Sequence, residues 1–310
     1  MYCHHPLEMH RAPGLTEAGK PVYTFDLVKS LDPQRLLPDF HIQIACGQCL
    51  ACRVRKAQEW SARLWLEWKC TDSPSCFLTL TYDEQHVPKD YSLKKEHYQL
   101  FLKRLRKSIS PRKIRYYVAG EYGAEFKRPH FHIIIFGYDF PDSKIPFANV
   151  FNRTTCKDYI SPEVAKLWPY GFHRISPLSD SCICYVCKYV IKKLTGPLVR
   201  EYSGRVPEFG IGSKGIARNW YEKFGSDLFD KEFFVWGSKF KRCRPVRYFE
   251  KILEKNDFDR LTFYKSGVKM RHIHDRKEVY DREFRTALSN DELAMYHNYS
   301  LLSKKRHVQI

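Results

Sequence analysis

The sequence predicts an α+β fold with a largely antiparallel sheet, and three observations carry that prediction. Short alternating apolar segments are interleaved with stretches of helical periodicity. Two of the strand segments face each other across a loop short enough to close a hairpin. The chain has 310 residues, 43% apolar and 15% aromatic, which is enough material to bury a sizeable core.

Along the chain, residues 6–44 are punctuated by prolines and read as irregular. Arg53–Cys70 reads as an amphipathic helix, with Trp60, Leu64 and Trp68 at four-residue steps. Phe77–Tyr82 alternates with period two, a strand. Leu93–Ile109 is a second helix, apolar at Leu100, Leu102 and Leu105 and basic at Lys103, Arg104 and Arg106. Ile114–Gly120 and His130–Phe136 form the hairpin strands, joined by residues 122–129. A short helix at Pro162–Trp168, a strand at His173–Ser176 and a helix at Ile183–Leu194 follow. Beyond residue 201 the pattern weakens into Gly-rich, then aromatic-rich, then charged sequence. No Gly-x4-Gly-Lys-Ser/Thr phosphate loop occurs, which argues against a built-in NTPase motor.

Charge narrows the partner. Against 35 acidic residues stand 53 Lys and Arg, a net +18, and a surplus of this size is the usual footprint of a nucleic acid partner. The apolar runs are too short to span a bilayer, and Met1–His5 has no apolar export segment, so membrane and secreted classes are set aside.

Eleven cysteines without an export signal are expected to be reduced thiols. Cys46, Cys49 and Cys52 form C-x2-C-x2-C, a spacing that lets thiolates on a turn share one soft cation. Structural zinc needs a fourth ligand, and Cys3, His4 or His5 is available to supply it. An iron–sulfur cluster uses the same ligand type, and a metal-free Cys-rich turn is the plain alternative.

Pro129-His130-Phe131-His132 is the most informative stretch. Residues two apart on a strand point to one face, about 7 Å apart, so both imidazoles converge on one point. The hairpin returns Glu121 beside them. Two imidazoles and a carboxylate can hold a divalent cation with positions left for a phosphate oxygen. His272 and His274 share the spacing, but they lie in a charged segment without an apolar anchor and read as a solvated basic patch.

Tyr185 and Tyr189 stand four apart on a helix, one above the other, with Lys188 and Lys192 flanking them. A phenol titrates near pH ~10, so attack on phosphorus needs cations close by. Alone, such a pair would be half-buried packing tyrosines; beside a metal-holding His pair it becomes a nucleophile.

In chain order, Phe77–Asp83 (FLTLTYD), Gly120–Gly123 with Pro129–His132, and Tyr185–Tyr189 resemble the three motifs of HUH-type rolling-circle replication initiators. Cys46–Arg53 (CGQCLACR), Gly120–Gly123 (GEYG) and Tyr185–Lys193 are similar to the initiators of microvirus phages of the gokushovirus type. The resemblance runs from Cys3 to roughly Phe240. It implies a ferredoxin-like HUH endonuclease palm, a central antiparallel sheet flanked by helices. It implies three regions: 1–53, Cys-rich with a candidate zinc site; 54–200, the nuclease domain; and 201–310, a basic extension, mixed then helical.

The resemblance also implies the chemistry. His130 and His132 would hold Mg²⁺ or Mn²⁺, with Glu121 as third ligand and Glu125 as fallback. Tyr185 or Tyr189, supported by Lys188 and Lys192, would nick one DNA strand, leaving a 5′-phosphotyrosine and a 3′-OH primer. The second tyrosine would make the second cut, and the displaced strand would be rejoined. The implied partners are single-stranded DNA, supercoiled replicative-form origin DNA, and a host helicase and polymerase, in the cytoplasm of the bacterial host. A relaxase or transposase of the same class would use identical chemistry. A non-catalytic zinc-dependent DNA-binding regulator would use the charge and the cysteines, but leave the His and Tyr pairs unexplained. A two-His-one-carboxylate iron oxygenase gives no reason for the +18.

Overall fold

A computed structural model of the chain describes residues 3, 5–17, 21–25, 41–123, 127–142, 145–146, 158–192, 202, 204–231 and 233–277. The chain divides into two units, Met1–Arg55 and Lys56–Ile310.

The smaller unit corrects the irregular reading of residues 6–44. β1 (Leu7–Leu15) pairs antiparallel with β2 (Pro21–Thr24) on one side and β3 (His41–Ile44) on the other. Prolines hid these strands because a proline removes a ladder donor. Pro13 and Gly14 sit where the register slips between Ala12 and Leu15, the kind of irregularity that tolerates them. Leu7 and Leu15 are exposed, so no clean in–out alternation marks this sheet in the sequence. The first turns of α1 (Leu50–Lys69) follow β3.

The larger unit carries β4 (Ser75–Tyr82), α2 (Lys95–Ser108), β5 (Arg115–Tyr122), β6 (Pro129–Phe136), β7 (Ile145–Pro146), β8 (Tyr159–Ile160), α3 (Pro162–Leu167), β9 (Gly171–Pro177), α4 (Asp180–Lys192) and β10 (Phe209–Gly212). The strands form one sheet in the order β10-β5-β6-β4-β9-β8-β7, with every neighbour antiparallel. This is an α+β architecture, an antiparallel sheet flanked by helices, as in a ferredoxin-like palm. β10, α5 (Arg218–Phe224), β11 (Phe234–Trp236) and β12 (Lys241–Cys243) come from sequence in which no element was legible. β10 is only four residues with two glycines, and its partner β5 makes it a strand. Beyond them, α6 (Arg247–Asn256) and α7 (Phe258–Lys277) are helical. His272 and His274 lie on α7, but their side chains fall outside the described residues.

The pleat sorts the central strands into two faces. Leu78, Leu80, Val118, Phe131, Ile133 and Ile135 point to one side, where Tyr98, Phe101, Leu102 and Leu105 of α2 and Val164 of α3 close over them. Each such side chain contributes about 1.5–3 kcal/mol by leaving water, so this side is the anchor. The other side carries Phe77, Thr79, Tyr117, Glu121, His130 and His132 and receives α4. α4 begins three residues earlier than its apolar periodicity indicates. Ser179 Oγ accepts the Cys182 N–H at 3.3 Å, and Asp180 Oδ1 accepts the Trp65 indole N–H at 3.0 Å from α1. Those polar contacts hold the start of the helix that carries both tyrosines.

Candidate active site

Register brings the polar residues into two rows across the sheet. In one, Phe172, Thr81, His130 and Glu121 lie side by side on β9, β4, β6 and β5; in the next, Arg174, Thr79, His132 and Ala119 do. Glu121 therefore sits directly opposite His130 and diagonal to His132. Its Oε1 accepts from His132 Nε2 at 2.8 Å and lies 3.7 Å from His130 Nε2. One ligand atom from each of the three residues falls within 4.8 Å of the others. Glu121 and His132 are buried at 5% and 4% exposure, whereas His130 opens toward solvent. Glu125 lies outside the described residues.

The His132 ring is fixed from four directions. Phe77 stacks near-parallel to it at 5.5 Å and 9°, and Tyr189 does so at 5.3 Å and 4°. Thr79 Oγ1 is 3.1 Å from Nδ1, and Glu121 holds Nε2. A hydroxyl on one ring nitrogen fixes which way the other presents its lone pair, as second-shell partners of metal-bound histidines do. Burial pulls the His130 pKa below its ordinary value, with His132 pulling the same way and Glu121 opposing. Neutral imidazole, the form that coordinates a metal, is thereby favoured.

Both tyrosines of α4 reach this cluster. The Tyr185 ring stands edge-on to His132 at 5.2 Å and to Tyr189 at 5.2 Å. Tyr185 remains partly exposed; Tyr189 is 3% exposed and hydrogen-bonded to Tyr185 and Glu121. Burial pushes the Tyr185 phenol up to about 12, with the Glu121 charge adding to it, while a hydrogen bond from Tyr189 and the Arg174 guanidinium pull it back. Burial raises Tyr189 much further, and Glu121 and Tyr185 both add to that. Of the two, Tyr185 is the more accessible and the more readily ionised.

The cation acting on Tyr185 is Arg174, which the sequence reading did not single out. Its position in the His132 row is visible only once β9 is registered against β4. Lys188 is partly buried on α4, and Lys192 closes the helix with its side chain outside the described residues. The basic residues of α2 are not at the site. Lys103 is exposed and Arg106 packs over Tyr116, while Arg104 donates to the Leu167 carbonyl; α2 covers the opposite face of the sheet.

In the smaller unit, Cys3 joins Cys46, Cys49 and Cys52, their sulfurs all within 4.8 Å of one another. Among the three fourth ligands open in the sequence, Cys3 is the one in the cluster; His5 is exposed and His4 lies outside the described residues. Both clusters can hold a metal on ligand type, thiolate for soft ions and imidazole–carboxylate for harder divalent ones.

Comparison with known proteins agrees with this geometry. A family model for replication-associated proteins of the ORF2 type matches residues 75–194, the span that holds β4, the hairpin and α4. The chain is 28% identical over 261 residues to the replication-associated protein VP4 of Bdellovibrio phage phiMH2K, covering 82% of this chain and 79% of that protein. It is 26% identical over 265 residues to the replication-associated protein ORF2 of Spiroplasma virus 4, covering 80% and 81%. The matches support a microvirus-type replication initiator. A third relative, the replication-associated protein ORF4 of Chlamydia phage 1, is 31% identical over 176 residues, 55% of this chain and 42% of its own. No solved structure matches. The initiator type read from three short motifs thus extends over about four-fifths of the chain. Among the described residues, no helix is long and apolar enough to cross a membrane.

Proposed function

We propose that this chain initiates phage replication by nicking one DNA strand with Tyr185 and rejoining the displaced strand. The observation that carries the reading is the Tyr185 ring 5.2 Å from His132, within a cluster that also contains His130 and Glu121. Tyrosines and histidines at this spacing have no packing need of a buried carboxylate between them. Nucleophilic attack on phosphorus needs all three kinds of group.

Glu121, His130 and His132 would hold a divalent cation, Mg²⁺ or Mn²⁺, which when bound supplies Lewis-acid polarisation of the scissile phosphate. The protein's own residues do the rest. Tyr185 Oη attacks phosphorus as the P–O3′ bond breaks. The 5′ side of the strand stays on the tyrosine as a phosphodiester. The phenolic proton passes to solvent, and the departing 3′ oxygen takes one up as the hydroxyl that primes synthesis. Arg174 favours the phenolate and the developing phosphorane charge, a role Lys188 and Lys192 would share from the helix. Tyr189 donates to Tyr185 in the resting site and makes the second cut once Tyr185 is occupied. Because the phosphotyrosine conserves the phosphodiester bond, closing the circle needs no nucleotide cofactor.

The substrates on this reading are single-stranded DNA and supercoiled origin DNA. A host helicase and polymerase would extend the fork in the bacterial cytoplasm. Phe172 is 65% exposed in the His130 row, two strands and about 10 Å from that imidazole, where it would stack on an unpaired base beside the cut. The test is the double variant Tyr185→Phe, Tyr189→Phe on supercoiled origin DNA with Mn²⁺. Nicking is expected to vanish while DNA binding persists. A double variant that still nicks overturns the mechanism, and a wild-type protein that binds but never nicks points to a regulator.

A further inference from the structure

The N-terminal unit presents a second site of different chemistry. Cys3 precedes β1, Cys46 follows β3, and Cys49 and Cys52 lie at the start of α1, so four sulfurs gather from both ends of a three-stranded sheet. Cys3 Sγ is 3.5 Å from Cys46 Sγ and 3.9 Å from Cys49 Sγ. Sulfurs bound tetrahedrally at about 2.3 Å from one zinc ion lie about 3.8 Å apart, whereas a disulfide needs about 2.05 Å. All four cysteines are free thiols.

The backbone around the sulfurs is arranged for negative charge. The Cys46 N–H donates to Cys3 Sγ at 3.3 Å. Gln48 and Cys49 N–H groups donate to Cys46 Sγ at 3.4 and 3.3 Å. Amide donors aimed at sulfur offset thiolate charge, and three of them within one knuckle are wasted on neutral thiols.

The unit also lacks what would otherwise hold it. Among its described residues only Leu50, Ala51 and Cys52 are buried, while Leu7, Leu15 and Phe25 face solvent. About fifty residues with so little core do not normally stay folded without a staple.

We infer that Cys3, Cys46, Cys49 and Cys52 bind one Zn²⁺ as a closed structural site, and that the sheet of residues 7–44 forms only when it is bound. Four protein ligands leave no open position, so the ion has no part in DNA cleavage. Each thiol gives up its proton on binding and no redox change occurs. The inference is independent of the nicking mechanism.

The test uses the full chain purified under reducing conditions. Elemental analysis is expected to find about one zinc per chain, with neither iron nor acid-labile sulfide, by the closed four-cysteine rule. Replacement by Co²⁺ should produce the intense near-ultraviolet thiolate-to-cobalt band, and Cys3→Ser should weaken it. After chelation, amide exchange in 7–15 and 41–44 should become fast and then recover with one equivalent of Zn²⁺, while exchange in β4, β5 and β6 stays slow. Protection of residues 7–15 that survives chelation overturns the folding claim. Iron with sulfide, or protein that carries no zinc and shows no cobalt band, overturns the metal claim. Because chelation and refilling use the wild-type chain, the result does not depend on a cysteine variant folding.

Discussion

Thr79→Val removes one hydroxyl and keeps the β-branched shape that β4 needs. Thr79 Oγ1 is 3.1 Å from His132 Nδ1, and His132 is 4% exposed, so water does not replace the lost partner. A buried polar atom left without a partner costs about 1–3 kcal/mol. Second-shell losses around metal-bound histidines typically cost about 10–100-fold in affinity or activity, or about 1.4–2.8 kcal/mol. Phe77 and Tyr189 still clamp the ring from both faces, which favours the lower end. Thr79→Val is therefore expected to need about tenfold more Mn²⁺ for half-maximal nicking. Its melting temperature should fall slightly. Thr81→Val is the control: it occupies the next same-face position on β4, opposite His130, and should change the Mn²⁺ requirement little. If Thr79→Val leaves the requirement unchanged, or Thr81→Val shifts it equally, the hydroxyl does not orient His132 and the reasoning fails.

Other consequences are as specific. Phe172→Ala should weaken single-stranded DNA binding by about 1–3 kcal/mol, read by fluorescence anisotropy, with no loss of thermal stability because the ring is 65% exposed. His173 Nε2 accepts the Ser161 N–H at 2.9 Å, and burial depresses its pKa below 6.5. The folded state then binds fewer protons than the unfolded one, so this contribution is complete above pH ~6.5 and is lost as pH falls through the lower folded value. Melts of wild type and His173→Gln between pH 7.5 and 5.5, a window chosen around that ~6.5, should show the variant with the shallower slope. Gly171 has φ +143°, and a Cβ there would lie 2.3 Å from Asp83 N and 2.7 Å from Thr81 O. Gly171→Ala should cost more than about 3 kcal/mol by denaturant unfolding, since backbone of β4 cannot step aside.

The parts of the fold that were legible in sequence are those in which a periodic apolar face meets a core. β4, β5, β6 and α2 alternate or recur because one side of each packs into the same cluster, and their spans match the periodicity within about three residues. The His and Glu juxtaposition was legible for the same reason: a hairpin of known register puts position 121 across from 130. β1, β2 and β3 were not legible, since an exposed sheet interrupted by prolines has no apolar period to read. β10 was lost in glycines, although Phe209 on it fills the space over Gly120, where a Cβ would approach its ring to 2.8 Å. Arg174 reaches the site by a long-range strand pairing, β4 with β9, that no local pattern encodes. Spacing marked the cysteine triplet, but choosing Cys3 over its neighbouring histidines required the β1–β3 pairing that brings the chain start back.

The central claim is that Tyr185 becomes covalently joined to the 5′ side of a cut strand. The direct measurement is to incubate the protein with Mn²⁺ and labelled single-stranded origin DNA, digest the adduct, and map the modified residue by mass spectrometry. A nucleotide-bearing peptide modified on Tyr185, absent in Glu121→Gln and shifted to Tyr189 or lost in Tyr185→Phe, is the expected result. Origin DNA cut with no protein-linked product, or with the link on a residue outside α4, would contradict it.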